Sequence, residues 1–186
     1  MMDGAFQLLA LVNDLLDYSR IRSGKLPLNF VPCDVRTLLG EAFELFRFQA
    51  TELDLQLEFH APATLPRVHG DAQRLGQVLN NLLTNALKFT PAGGRVALTA
   101  SVEGGHIRVE VADTGVGIRA DQIPRLFHRF SQLETGSTRQ TGTGLGLAIS
   151  KSLVDAHGGR IGVFSPAGLE PAKGSVFWFT LPILAE

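Results

Sequence analysis

Asn81, Asn85 and Lys88 lie in the segment Gln77-Val-Leu-Asn-Asn-Leu-Leu-Thr-Asn-Ala-Leu-Lys-Phe-Thr90. On a helix that advances about 100° per residue, these three fall within roughly 60° of one another. Leu75, Leu79, Leu82, Leu83 and Ala86 take the other side. A polar stripe turned to water is the ordinary reading of such a face. The residue types favour another. Asparagine is a mediocre helix former, and two carboxamides beside an ammonium supply oxygen ligands for a hard cation and positive charge for phosphate.

Two glycine-bearing segments follow. In Asp113-Thr-Gly-Val-Gly-Ile118 a carboxylate stands at the end of an alternating run, ahead of glycines that allow close backbone approach. Such a carboxylate can accept a hydrogen bond from an exocyclic amine beside a flat ring; a plain turn is the alternative. In Thr141-Gly-Thr-Gly-Leu-Gly-Leu-Ala-Ile149 a glycine-rich loop enters a helix, which suits a di- or triphosphate. A Rossmann fingerprint needs G-x-G-x-x-G directly after a strand, whereas this loop reads G-x-G-x-G after the polar run Ser131–Gln140. No Walker A pattern occurs either. A nucleotide here is held by another scaffold.

The elements that must carry these groups are legible from periodicity. Leu8, Leu9, Leu11, Val12, Leu15, Leu16 and Ile21 give an amphipathic helix from Ala5 to about Ser23, broken by Gly24, Pro27 and Pro32 into a linker or short edge strand. Asp34 is a candidate N-cap for a helix to about Ala50, with Leu38, Leu39, Ala42, Phe43, Leu45 and Phe46 inward. Leu53, Leu55, Leu57 and Phe59 alternate as in a half-buried strand, and Asp71 can cap a helix to about Phe89. The runs Arg95–Val102 and His106–Ala112 form a hairpin about Glu103-Gly104-Gly105. A short helical piece near Asp121–Phe127, a helix from Gly144 to about His157 and strands at Arg160–Phe164 and Ser175–Leu181 complete the pattern. It predicts an α+β fold, a two-layer sandwich with helices on one face of a mixed, mostly antiparallel sheet.

Bulk properties narrow the function classes. Of 186 residues 45% are hydrophobic, enough for a packed core, and 17 basic side chains nearly cancel 18 acidic ones. That balance speaks against a general nucleic-acid or membrane-surface binder. The single cysteine, Cys33, excludes an internal disulfide framework and reads as a small apolar residue. No apolar run approaches the roughly 18 to 20 residues of a membrane helix, so the expectation is a soluble, cytoplasmic piece of something longer, whose parent is open to membrane anchoring.

In this order and spacing the three segments resemble the N, G1 and G2 boxes of the sensor histidine kinases. Those kinases share a superfamily, the Bergerat fold, with gyrase, the mismatch-repair ATPases and the heat-shock chaperone ATPase. Leu126-Phe-His-Arg-Phe130 resembles their F box, with Phe127 and Phe130 as the aromatic pair, and Gly174-Ser-Val-Phe-Trp-Phe-Thr-Leu-Pro182 resembles the closing G3-type strand. The resemblance covers about Pro27 to the C-terminus and implies a catalytic domain over 27–186 that binds ATP and Mg²⁺. It implies that Asn85 coordinates the metal with support from Asn81, that Lys88 neutralises phosphate, and that Phe89 lies against the nucleoside. By the same resemblance Asp113 reads the adenine amine, Gly115 and Gly117 make room, and Thr180 assists through water. Gly142, Thr143, Gly144, Leu145 and Gly146 line the phosphates, and about Ser131 to Thr141 forms a lid. Thr141 departs from the glycine of many relatives, and a β-branched residue there stiffens the hinge.

Upstream, Leu9-Ala-Leu-Val-Asn-Asp-Leu-Leu-Asp-Tyr-Ser-Arg-Ile21 resembles the second helix of the dimerisation and phosphotransfer hairpin, which makes 1–26 a partial hairpin and linker. The helix with the phosphoacceptor histidine is not in the chain. His60, His69, His106, His128 and His157 lack the acidic neighbour of that motif and read as surface or core histidines. The implied partners are the hairpin helix, a response-regulator receiver domain and a second copy in a homodimer. Phosphoryl transfer asks mainly for positioning and charge neutralisation, which these residues supply. A water-activating ATPase of the gyrase type wants a glutamate four residues before the metal-binding asparagine, where this chain has Asn81. A third reading is a nucleotide-sensing or interaction module without catalysis.

Overall fold

A computed structural model describes residues 27–131, 144–165 and 174–184. The helix expected over 5–23 lies outside them. Helix α1 spans Val35–Glu52, and the Asp34 side chain caps it by accepting the Thr37 N–H at 3.1 Å. Leu39, Ala42, Phe46 and Ala50 form its buried stripe. Leu45, expected inward, is 66% exposed. It sits about 120° round the helix from Leu39, outside the arc that faces the core.

Helix α2 spans Ala72–Phe89 and is capped the same way, by Asp71 accepting the Arg74 N–H. Leu75, Val78, Leu79, Leu82, Leu83, Ala86 and Leu87 are all buried. Each fully buried leucine contributes about 2 kcal/mol by transfer from water. Helix α3 spans Gly146–Ala156 and stops at Gly158, whose φ of 71° is open to glycine at little cost.

These helices cover one face of a five-stranded sheet. Its strands are β2 (Gln56–His60), β4 (Arg95–Glu103), β5 (His106–Asp113), β6 (Arg160–Phe164) and β7 (Ser175–Pro182), in the order β2-β4-β5-β7-β6. Only the β2–β4 pair is parallel. Gly104 and Gly105, both at positive φ, make the two-residue turn between β4 and β5. Val96, Leu98, Ile107, Val109, Val111, Phe177, Phe179 and Leu181 are the buried half of the alternation. On the other face the Arg108 guanidinium lies 4.4 Å over Trp178 and bonds Glu110 at 2.7 Å.

The expected short edge strand is β1 (Val31–Cys33), and it pairs with β3 (Val68–Gly70), which the periodicity did not reveal. Cys33 is buried, and its thiol donates to the Gly70 carbonyl. The helical piece near 121–127 is a single 3-10 turn, Ile123–Arg125, with Pro124 in its second position.

His157 ties this end of the molecule together. Its Nδ1 lies 2.7 Å from the Leu153 carbonyl, which can only accept, so the ring carries its proton there and Nε2 accepts the Asp71 N–H at 3.0 Å. Gly70, lacking a side chain, leaves room for the ring, and Phe30 packs on it with the rings tilted by 47° and their centroids 5.0 Å apart. The Asp71 carboxylate also accepts the Asn29 N–H. The start of α2, the end of α3 and the chain leading into β1 are therefore one bonded cluster.

Candidate functional site

Helix α2 is the backbone of the site. Asn81 and Asn85 are half-buried on its polar face and Lys88 is exposed, with its ammonium 5.0 Å over the Phe89 ring. The loop that follows β5 docks on the C-terminal end of α2. Val116 donates its N–H to the Phe89 carbonyl at 3.3 Å, and a β-carbon on Gly115 would collide with that same carbonyl. Asp113 ends β5, and its Oδ1 accepts the Gly115 N–H at 2.8 Å. Burial raises the Asp113 carboxyl above its ordinary value, against the opposing pull of the Gly115 and Ser175 N–H groups.

Two neighbours hold this loop. Ser165 accepts the Ile118 N–H and donates to the Gly174 carbonyl, both at 2.8 Å. Gly174, at φ 113°, leaves no room for a β-carbon against the Asp113 carbonyl. Gly117, at φ 73°, makes the turn between Gly115 and Ile118.

Farther back along α2, Asn81 meets the start of α3. Its Nδ2 donates to the Ser150 hydroxyl at 2.9 Å, and its carboxamide lies where a β-carbon of Gly146 would go. Leu145 is fully buried, and Gly144, at φ 67°, lies against Phe130 and Ser131. Phe127 packs against the core, whereas Phe130 is 65% exposed. From Phe89 back to Asn81 is eight residues, or about 12 Å of helix. A carboxylate loop at one end and a glycine helix start at the other are thus joined by one polar helix face.

Gly142 and Thr143 lie outside the described residues, as does the stretch 132–141. Thr180 does not belong to this place. It faces Arg108 and Arg160 across the sheet, and its hydroxyl accepts the Arg160 N–H. The residue opposite Asp113 is Ser175, buried, five positions or about 17 Å back along β7. Antiparallel pairing sends β7 away from the site as it advances, so its first hydroxyl is the near one. That signal was available: Ser175 follows the strand-opening Gly174.

Over residues 70–185 the sequence matches the family described as histidine kinase-, DNA gyrase B-, and HSP90-like ATPase. The chain belongs to this family. Among curated proteins it is 41% identical over 181 residues to the non-motile and phage-resistance protein of Caulobacter vibrioides, covering 95% of this chain and 21% of that one. It is 40% identical over 185 residues to the sensor histidine kinase GacS of Pseudomonas protegens, covering 95% of this chain and 20% of the relative. The chain thus spans about a fifth of the length of these relatives. Full-length ShkA, solved in complex with AMPPNP, superposes with a TM-score of 0.84 at 38% identity, over 99% of this chain and 37% of that one. The mixed, mostly antiparallel sheet under helices is the histidine-kinase ATPase fold.

Proposed function

We propose that residues 27–186 are the ATP-binding catalytic domain of a sensor histidine kinase, and that 1–26 belong to its dimerisation and phosphotransfer hairpin. The observation that carries the reading is the docking of the Asp113 loop on Phe89, at the end of the helix that bears Asn85. It gives one ligand a carboxylate for its base and a carboxamide for its metal and phosphates. Asp113 accepts from the adenine amine, with Ser175 beside it; Gly115 and Gly117 let the ring approach, and Phe89 flanks the nucleoside. Lys88 offsets phosphate charge, and Gly142, Thr143, Gly144, Leu145 and Gly146 receive the phosphates at the start of α3.

Among the described residues there is no cluster of three His, Cys, Asp or Glu side chains able to hold a metal. An ion held by a single carboxamide is one taken up together with phosphates. Mg²⁺ suits this, since it favours oxygen ligands, keeps several waters and needs few protein groups. Asn85 would be the protein ligand; the ion would supply charge neutralisation of the phosphates when bound.

The γ-phosphoryl group passes to a histidine on a hairpin helix, and from there to a receiver domain of a response regulator. The full protein acts as a homodimer through the hairpin. Hydrolysis by a gyrase-type mechanism is disfavoured by Asn81, which offers no general base and is engaged with Ser150. Among the described residues no helix is long and apolar enough to cross a membrane.

The test is a titration of the chain with AMPPNP with and without Mg²⁺, followed by ATP and a supplied histidine-bearing hairpin. Saturable, Mg²⁺-assisted binding and transfer to the hairpin histidine are expected. Absence of saturable binding would favour an interaction module.

A further inference from the structure

We infer that the two asparagines of α2 have different jobs: Asn85 serves the metal, while Asn81, held by Ser150, is a positioning residue that fixes the start of α3. The inference rests on the nucleotide reading above and divides its labour. Two asparagines one helical turn apart look interchangeable as cation ligands. Their surroundings differ. Asn81 donates its amide to Ser150, a hydroxyl only 1% exposed in the middle of α3, and its carboxamide carbon would lie 2.9 Å from a β-carbon at Gly146. The side chain is thus spent on both the first residue of α3 and the residue one turn later.

The chemistry of that contact is positional. Backbone N–H groups at the start of a helix bind phosphate only as well as the helix end is placed. Helix α3 has no side-chain hydrogen bond of its own capping its N-terminus. Asn81 adds a polar constraint from the neighbouring helix, and Ser150 sets which way its carboxamide turns. The absence of a side chain at Gly146 is what lets the two helices approach this closely.

Equilibrium binding of AMPPNP separates the jobs, measured with Mg²⁺ and with EDTA in the wild type, N81A, N85A, S150A and the double variant N81A/S150A. Loss of one hydrogen bond of this kind corresponds to about five- to tenfold in affinity. The expected result is that N81A and S150A weaken binding by about that factor equally with Mg²⁺ and with EDTA. The double variant is expected to be no weaker than N81A alone, since both changes break one contact. N85A should lose affinity only when Mg²⁺ is present. If N81A instead lost only the Mg²⁺-dependent part, Asn81 would be a metal ligand; if N81A and S150A were additive, the two would not act through one contact; either result overturns the inference. Asn81→Leu, which keeps about the size but makes no hydrogen bond to Ser150, guards against a cavity effect and should behave as S150A does; wild-type-like binding by N81L also overturns the inference. Failure of the wild-type chain to bind AMPPNP would sink the nucleotide reading itself, a distinct outcome.

Discussion

Gly115 lies so close to the carbonyl of Phe89 that a β-carbon at 115 would overlap it and would sit 2.7 Å from Asp113 Oδ1. The contact joins the carboxylate loop to the helix that bears the asparagines, and it tolerates no side chain. Gly115→Ala is therefore expected to push the loop off α2. Overpacking of this kind costs about 1–3 kcal/mol. Urea unfolding should read that loss, and AMPPNP affinity should fall with it. A variant with unchanged stability and affinity would show that the loop does not depend on this contact.

Asp113 carries a stability cost whose sign can be measured. Burial raises its carboxyl above 3.8 in the folded chain, so the folded state takes up a proton more readily than the unfolded one. Stability then falls as pH rises from 3.8 through the folded value, and the full penalty is present above it. Asp113→Asn removes that penalty. The nucleotide-free variant should melt at least as high as wild type at neutral pH. Its affinity for AMPPNP should fall by about 10- to 100-fold, the range of a lost charged hydrogen bond. A lowered Tm would contradict a net burial penalty on this carboxylate.

Asp71 has the opposite sign. Burial works against its charge, but the N–H groups of Asn29 and Arg74 and the Arg74 guanidinium outweigh it and hold the carboxyl below 3.8. Its stabilisation is therefore full above 3.8 and is lost as pH falls through the lower folded value. Asp71→Ala should lower stability at pH 7 by about 1 kcal/mol, the typical loss of a helix cap, and should flatten the acid limb of the stability curve. An unchanged acid limb would mean that the cap does not act through its charge.

The sequence marked helix α2, the β4–β5 hairpin and the three chemical segments because each has a local signature: a 3.6-residue stripe, a two-glycine turn, a strand-end carboxylate. What it did not mark is non-local. Strand β3 is three residues long and owes its pairing to β1, 37 positions away at the Cys33–Gly70 bond. Thr180 and Ser175 lie on one strand, and only the pairing register decides which faces Asp113. Leu45 has the right residue type at the wrong angle. Asn81 sat on the correct face, but its engagement by Ser150, 69 residues on, depends on helix packing that no periodicity encodes.

His157 is the buried joint between α2, α3 and the chain entering β1, and its ring makes specific bonds at both nitrogens. His157→Phe keeps an aromatic ring against Phe30 and deletes the acceptor of the Asp71 N–H. An orphaned buried donor costs about 1–3 kcal/mol, and that drop is the expected result of urea unfolding. A loss below about 0.5 kcal/mol, the level of an ordinary surface change, would show that the joint is held by packing alone.

The most direct test of the account compares how the wild type, Asp113→Asn and Asn85→Ala bind AMPPNP and its guanine counterpart, each with Mg²⁺ and with EDTA. The account predicts that Asp113→Asn erodes the preference for adenine over guanine by the same factor in both conditions. It predicts that Asn85→Ala leaves that preference intact and abolishes the benefit of Mg²⁺. If either variant changed both properties, or neither, the two groups would not hold opposite ends of one nucleotide, and the account would be wrong.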